Sequence, residues 1–361
     1  MITEYQIEMI VVNDADAFVV YYVTDDKKEH LVLIDAGRYG NGERVLNHLN
    51  KHYEGIPVEL AIVTHPDEDH FGGFIYLLEQ IRDHSENAVP IRRFWINDPR
   101  NHFSKKDVKG KINQKELDER LKSVYMVDGK NLLELIESLK IRHDEVFAIT
   151  LLKLKVDSKG NRYLKSVGCK PSDQEGFTVL GPLCRYYEKQ SEDFRYNGVV
   201  RIKETKEEDE ILDEPDFVQT DDCYSRVLDD AYNDTSCHNK SSLIILFQPY
   251  EGRKYLFTGD ASVDSFNAMR KSHQKLCKDV YWMKVPHHGS KHNLNTDWIR
   301  FFNPKIAYIS TAKIGKFLNQ CTINALKKNG CKIVSTHLNQ DATYIVHHDC
   351  MARDLCAVEV C

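Results

Sequence analysis

His65, Asp67, Asp69 and His70 fall within six residues, directly after the apolar run Glu59–Thr64. Alternate residues of an extended loop project to one side, so His65, Asp67 and Asp69 can converge, and His70 follows at the entrance of a helix. Imidazole nitrogen and carboxylate oxygen together suit Zn²⁺, Mn²⁺ or Fe²⁺. A plainer reading competes: Asp67 or Asp69 caps the helix and the histidines are incidental. Two later runs tilt the balance toward metal. Thr258-Gly259-Asp260 ends the strand Lys254–Phe257, and Pro286-His287-His288-Gly289-Ser290 ends the strand Val280–Val285. Open α/β sheets build sites at the carboxyl ends of their strands. Taken singly, Asp260 reads as a turn residue and the His-His-Gly-Ser turn is only suggestive. Three such elements in one chain are hard to ascribe to coincidence.

The elements that must position these residues alternate between strand and helix signals. Ile7–Val12, Ala17–Tyr22 and Leu31–Ile34 are short β-rich runs. A periodic segment at Glu43–His52 and the strand Glu59–Thr64 follow, and Phe71–Arg82 reads as a helix with Gly72-Gly73 in its first turn. From about Asn97 to Lys170 the pattern loosens and Lys and Arg outnumber Asp and Glu. Gln114–Tyr125 and Lys130–Lys140 are the helical stretches within it. Phe177–Leu180 is a strand ended by Gly181-Pro182. Residues Cys184–His238, with the acidic run Glu204–Asp234, read as surface loop. Order resumes with strands at Ser242–Phe247, Lys254–Phe257, Val280–Val285, Ile306–Ser310, Lys332–Ser335 and Thr343–Val346. Helices are expected at Val263–His273, Asn295–Phe302 and Cys321–Lys328.

Bulk properties bound the class. The 361 residues are 42% hydrophobic, enough for a sizeable core, and 29% charged with a net charge of −6. No global basic field exists to gather nucleic acid, so polyanion binding needs a local patch. The ten cysteines stand singly, which reads as reduced thiols. The amino terminus lacks a basic-then-apolar leader and the apolar runs fall far short of the ~20 residues of a membrane span. The expectation is a cytoplasmic chain without membrane insertion.

With these residues in view, the sequence resembles a known family. Leu33-Ile34-Asp35-Ala36-Gly37 followed by Thr64-His65-Pro66-Asp67-Glu68-Asp69-His70-Phe71-Gly72-Gly73 is similar to the motif order of metallo-β-lactamase-fold hydrolases. Val179-Leu180-Gly181-Pro182, Asn239-Lys240-Ser241-Ser242-Leu243, Leu256-Phe257-Thr258-Gly259-Asp260 and Val285–Ser290 resemble the branch containing the hydrolase domain of the competence protein ComEC. The likeness covers residues 1–97, 176–183 and 239–346. It implies an α/β fold, a four-layer αβ/βα metallo-β-lactamase sandwich forming one domain over residues 1–361. A basic insertion at about 98–175 and an acidic loop at about 184–238 would interrupt it.

The resemblance also implies a ligand set. His65 and Asp67 would serve one metal, Asp69 and His70 the other, and Asp260 would bridge. His287 or His288 would supply the late histidine, with His287 favoured, and Asp35 would brace the ligand loop from behind. The cofactor would be two divalent ions, zinc or manganese. Asp67 stands where most of the superfamily has histidine, which favours a harder, more oxygen-rich site. Two departures leave open that one ion is weakly held: Asn239 and Ser241 occupy the place of a third-motif histidine, and Phe317–Gln320 lacks the His-Pro of close relatives.

Function follows as an expectation. A metal-activated hydroxide would attack a phosphodiester of DNA or RNA, making the chain a phosphodiesterase or nuclease. Asp69 and Asp260 would take part in the chemistry, His292 is the candidate leaving-group acid, and Asn239 and Lys291 would contact substrate. Hydrolysis of a small phosphodiester or nucleotide signal is the second expectation. The third is a non-catalytic metal-bearing module with a protein partner in a multi-protein defence or DNA-uptake system. The acidic run Glu204–Asp234 could fold across the basic insertion as a lid.

Overall fold

Runs rich in Val, Ile, Leu and aromatic residues supply strands buried on both faces. The computed structural model describes residues 1–102, 119, 121, 123–148, 152–156, 162–166, 174–194, 228–315, 317–340 and 342–347. Strands β1 (Ile2–Ile10), β2 (Ala17–Thr24) and β3 (Glu29–Ala36) form an antiparallel meander. After helix α1 (Gly42–His52), β4 (Leu60–Ile62) pairs in parallel with β3. Helix α2 (Glu68–Arg82) leads to β5 (Arg93–Trp95), parallel to β4.

A small hairpin, β6 (Met126–Val127) with β7 (Lys130–Asn131), precedes α3 (Leu132–Ser138) and β8 (Arg142–Asp144), which pairs with β5. A separate antiparallel pair is formed by β9 (Leu152–Val156) and β10 (Arg162–Ser166).

The second half repeats the plan. Strands β11 (Phe177–Gly181), β12 (Ile244–Phe247) and β13 (Tyr255–Phe257) are antiparallel. Between β11 and β12 lie α4 (Cys184–Phe194) and the single turn α5 (Cys237–Lys240). Parallel strands β14 (Trp282–Lys284), β15 (Ile306–Ile309) and β16 (Lys332–Ser335) extend the sheet. Helices α6 (Val263–Ala268), α7 (Lys271–Leu276), α8 (Thr296–Phe302) and α9 (Gln320–Lys328) connect them. Last comes β17 (Tyr344–Val346), which crosses back to pair with β1. The two sheets run β17-β1-β2-β3-β4-β5-β8 and β11-β12-β13-β14-β15-β16.

Three apolar clusters define four layers. Phe18, Trp95, Phe247 and Trp282 belong to the cluster between the sheets. Leu33, Phe74 and Leu133 join α1, α2 and α3 to the outer face of the first sheet, and Met283, Phe266, Phe302 and Leu326 join α6, α8 and α9 to that of the second. This is the αβ/βα sandwich the sequence leads one to expect.

Three local expectations change. Helix α2 begins at Glu68, not Phe71, so Asp69 and His70 lie in its first turn, where acidic residues favour the positive end of the helix dipole. The helix expected over Val263–His273 is two helices, because Met269 and Arg270 between them are extended (ψ 146° and 144°). The segment from Cys184 opens as an eleven-residue helix rather than a loop, with Tyr187 and Phe194 buried. The helix expected over Gln114–Tyr125 lies mostly outside the described residues; its end, Ser123–Tyr125, is a 3₁₀ turn. Of the acidic run Glu204–Asp234, only residues from Leu228 on are described. Leu228 packs into the second-sheet core, and Asp229 accepts hydrogen bonds from Thr296 N and Oγ1 at 2.8 and 2.6 Å.

Candidate metal centre

The carboxyl end of β4 delivers the first ligands. Thr64 is anchored by Asp35 at the end of β3: its N–H donates to Asp35 Oδ1 at 2.8 Å and its hydroxyl to Oδ2 at 2.7 Å. Asp35 adopts a left-handed backbone (φ 55°) that a non-glycine residue rarely takes. That geometry also places Oδ2 2.8 Å from His70 Nδ1. The chain then passes through Pro66 to α2. Asp67 occupies the cap position of α2 but makes no cap hydrogen bond with its side chain. Its Oδ1 instead meets His238 Nδ1 at 2.6 Å. The plain capping reading therefore does not describe Asp67.

The second sheet supplies the other wall. Gly259, with φ 52° and little room beside Thr64 and Ser242, turns the chain so that Asp260 enters the centre. Ser242 Oγ receives the Asp260 N–H at 3.1 Å. After β14, His287 and His288 both have positive φ, 46° and 52°. Two consecutive strained histidines turn both rings toward the site, the kind of backbone outlier that clusters at functional sites.

Asp260 Oδ2 is the point of convergence. His70 Nε2 lies 3.3 Å from it, His288 Nε2 3.8 Å, His65 Nε2 3.9 Å and His287 Nε2 3.9 Å. Asp69 Oδ2 is 3.6 Å from His288 Nε2, and Asp67 Oδ2 is 3.5 Å from His65 Nε2. The Nδ1 atoms of these rings are engaged elsewhere: His65 with Thr64 Oγ1 (3.1 Å), His70 with Asp35, His287 with Asn293 Oδ1 (3.0 Å) and His288 with the Ser310 carbonyl (2.8 Å). In the neutral ring, an Nδ1–H that donates to these acceptors leaves the lone pair on Nε2. His65 Nε2, His70 Nε2 and His288 Nε2 are buried with no hydrogen-bond partner among the described residues. Buried acceptors left unpaired are costly unless something else satisfies them.

These residues fit divalent cations. Donors held about 2.1 Å from one ion in a tetrahedron sit about 3.4 Å apart, close to the separations seen. Two overlapping ligand groups emerge, His65–His70–Asp260 and Asp69–His70–His288.

Electrostatically, carboxylates and imidazoles in this cluster favour one another's charged forms. Burial disfavours the charged form of Asp260, yet Lys284 and the neighbouring His70, His288 and His287 hold its pKa well below the usual value. Burial likewise opposes ionisation of Asp67 and Asp69, but His238 and His65 lower the first, and His288, His70 and Arg38 lower the second. Burial also disfavours charge on His70, which Asp260 and Asp35 outweigh, raising its pKa well above the usual imidazole value. His287, opposed by burial but drawn up by Asp260 and Asp234, rises to about 9.

The other expected residues spread outward from this centre. His288 takes the buried position (0% exposed) beside both Asp69 and Asp260, while the favoured His287 sits at the rim, 22% exposed in its side chain. Asn239 donates to Asp234 Oδ2 at 2.6 Å, behind His287. His292 is buried, with Nδ1 on the Tyr232 carbonyl at 2.9 Å and its ring stacked on Tyr232. None of the hydrogen bonds described for His292 reaches a site carboxylate. Lys291 is partly exposed in the same loop. Phe317, where the resemblance leads one to look for His-Pro, packs its ring 5.2 and 5.3 Å from His287 and His288.

Sequence reasoning missed four contributors. Lys284, 1% exposed, pairs with Asp16 and with Asp260 Oδ1 (2.9 Å), and donates to the Gly259 carbonyl at 2.7 Å. His238 braces Asp67, Asp234 lies 3.4 Å from His287 Nδ1, and Arg38 reaches Asp69 Oδ2 at 3.4 Å. A lysine inside the apolar run Val280–Val285 was the one legible signal, since a buried lysine needs a partner.

Comparison with known proteins bears on this site. Residues 15–144 match the model of the Metallo-beta-lactamase superfamily, so the chain carries a domain of that superfamily. ComE operon protein 3 of Bacillus subtilis (strain 168) is 28% identical over 131 residues, 36% of this chain and 16% of that protein. The match thus spans only about a sixth of that relative. Among solved structures, the metallo-beta-lactamase fold protein YhfI from Bacillus subtilis is 8% identical with a TM-score of 0.37, covering 91% of this chain and 96% of that one. Unliganded yeast PDE1 is 10% identical with a TM-score of 0.40, covering 92% and 98%. No helix among the described residues is long and apolar enough to cross a membrane.

Proposed function

We propose that this chain is a metal-dependent phosphodiesterase whose centre holds two divalent cations, zinc or manganese, and whose substrate is nucleic acid. The observation that carries the reading is the set of buried imidazole Nε2 atoms around Asp260 Oδ2. In it, His65, Asp67 and Asp260 serve one cation, and Asp69, His70, His288 and Asp260 the other. His287 is a further donor at the open rim, on the side where a third-motif histidine is missing. Bound there, such cations would lower the pKa of water toward ~7 and offset charge developing on a phosphoryl group.

The protein's own residues do the rest. Asp35, Thr64 and Ser310 orient the imidazoles. Lys284 takes up Asp260 Oδ1, leaving Oδ2 to face the histidines. Asp69, paired with the half-exposed Arg38 (42%), is held ionised, so that it can bind a cation or accept a hydrogen bond from the attacking water. The Arg38 guanidinium and Lys291 supply positive charge at the rim, where a phosphate oxygen would be met. An oxygen-rich donor set suits hard phosphoryl chemistry, and the partial likeness to ComE operon protein 3 supports placing the chain in that branch.

The test is metal analysis of the purified protein, followed by hydrolysis of single-stranded DNA, duplex DNA, RNA and cyclic nucleotides side by side with Mn²⁺ and Zn²⁺. Polymer hydrolysis that depends on Asp260 is the expected result. Activity confined to cyclic or mononucleotide substrates would replace nucleic acid by a small phosphodiester. An Asp260→Asn protein with full metal content and full activity would overturn the arrangement.

A further inference from the structure

Away from the sandwich mouth, three side chains of different chemistry meet where the chain leaves each half of the fold. His102 ends the 3₁₀ turn Pro99–His102 that follows β5. Cys184 and Glu188 stand one turn apart at the start of α4, so both side chains lie on one face of the helix. Cys184 Sγ lies 3.6 Å from Glu188 Oε1, which is 3.8 Å from His102 Nδ1. One donor atom from each of the three lies within 4.8 Å of the others. None of these residues belongs to the centre around Asp260.

The imidazole is also set in the manner of a ligand. Glu145, just after β8, pairs with His102 Nε2. A ring that donates Nε2–H to a carboxylate offers its Nδ1 lone pair on the opposite edge, and that edge faces Cys184 and Glu188. Metal-binding histidines are commonly oriented through the other ring nitrogen by a carboxylate, a backbone carbonyl or a water. Phe147 and Tyr187 pack against the same ring at 5.1 and 5.2 Å, an apolar wall that limits its freedom. Only 10% of the His102 side chain is exposed, whereas 46% of Glu188 is, so an ion could enter from the Glu188 side.

We infer that His102 Nδ1, Cys184 Sγ and Glu188 Oε1 form a second, peripheral Zn²⁺ site, with Glu145 positioning the histidine. Thiolate, imidazole and carboxylate are the three donor types zinc accepts, and a fourth position stays open to solvent. On binding, the Cys184 thiol releases its proton to solvent as the Zn–S bond forms. The ion would tie α4 to the turn Pro99–His102 and hence to the edge formed by β5 and β8. Its influence can reach the main centre through α4: the Phe194 ring meets His238 at 4.5 Å, and His238 holds Asp67.

Cobalt substitution of the full chain tests this, because Co²⁺ bound to a thiolate gives a near-ultraviolet charge-transfer band that nitrogen and oxygen ligands do not. The band should appear in the unmodified protein, persist in Asp260→Asn and vanish in Cys184→Ser. Zinc content should fall by one equivalent in Cys184→Ser and Glu188→Gln, and Glu145→Gln should weaken uptake at this site about 10- to 100-fold. Should Cys184→Ser fail to fold, alkylation of Cys184 in the unmodified protein, read by peptide mass spectrometry, should slow when zinc is added. A saturated cobalt protein without the band, a band that survives in Cys184→Ser, or alkylation indifferent to zinc would overturn the site and leave ordinary polar contacts.

Discussion

Asp35 acts through His70. Its left-handed backbone costs about 1–3 kcal/mol, and both its oxygens are committed to Thr64 and His70. An Asp35→Ala protein should bind metal about 10- to 100-fold more weakly, measured by competition with a chromophoric chelator. Unchanged affinity would remove Asp35 from the site. Lys284 makes a second demand on the same residue scale. Between Asp16 and Asp260 it neutralises two buried carboxylates, so Lys284→Met should destabilise the chelator-treated protein by about 3–5 kcal/mol in urea titrations. A midpoint equal to the unmodified protein's would contradict that pairing. His65, Asp67, Asp69 and His70 were legible because ligand types crowd one short run. His238 was not, since its contact with Asp67 spans 171 residues and nothing local marks it. The choice between His287 and His288 was equally hidden: adjacent residues differ only in which way the turn points them.

Helix α2 positions Asp69 and His70, and Gly73 sets how closely it lies against the end of β3. A Cβ at Gly73 would fall 2.0 Å from the Ala36 carbonyl oxygen, so any side chain must push the helix away. Gly73→Ala should therefore cost at least the ~1–3 kcal/mol typical of overpacking and loosen metal binding along with stability. Retained stability with intact metal affinity would show that α2 tolerates the shift.

The far end of α2 is tied by Glu79, which pairs with Lys130 at 2.9 Å and accepts from the Tyr39 hydroxyl at 2.7 Å. Burial opposes ionisation of Glu79, but Lys130 and Tyr39 lower its pKa overall. A depressed carboxylate contributes stability that is present above the unfolded-state value near ~4.3 and is lost as pH falls through the lower folded value. The Glu79→Gln protein should lose stability at neutral pH and show a shallower decline below about pH 4 in acid titrations followed by circular dichroism. Equal acid sensitivity of the two proteins would place that dependence elsewhere. Most strands and helices were visible as apolar periodicity, whereas the order of the strands within each sheet was not. Helix α4 was not, because the charged composition of the segment after Cys184 outweighed the two buried aromatics, Tyr187 and Phe194, that anchor it.

Across the whole molecule, the centre joins two half-sandwiches whose strands, among the described residues, pair with each other only where β17 returns to β1. His65, Asp67, Asp69 and His70 come from the first half, and Asp260 and His288 from the second, so a cation bound among them bridges the halves. The unfolded chain lacks this arrangement, which makes metal binding and folding one linked equilibrium. At a hundredfold excess of ion over its dissociation constant the linkage is worth about 2.7 kcal/mol. Chelation should therefore lower the melting temperature of the protein, and Mn²⁺ or Zn²⁺ should restore it in a concentration-dependent way. Asp260→Asn should flatten that dependence, because it weakens the carboxylate that faces ligands from both halves. Zinc at the peripheral site would still act in that variant, so a residual response to Zn²⁺ that disappears on adding Cys184→Ser would separate the two sites. A melting temperature indifferent to chelator and to both ions would mean that the buried imidazoles are satisfied without metal, and the bridging role of the centre would fall with it.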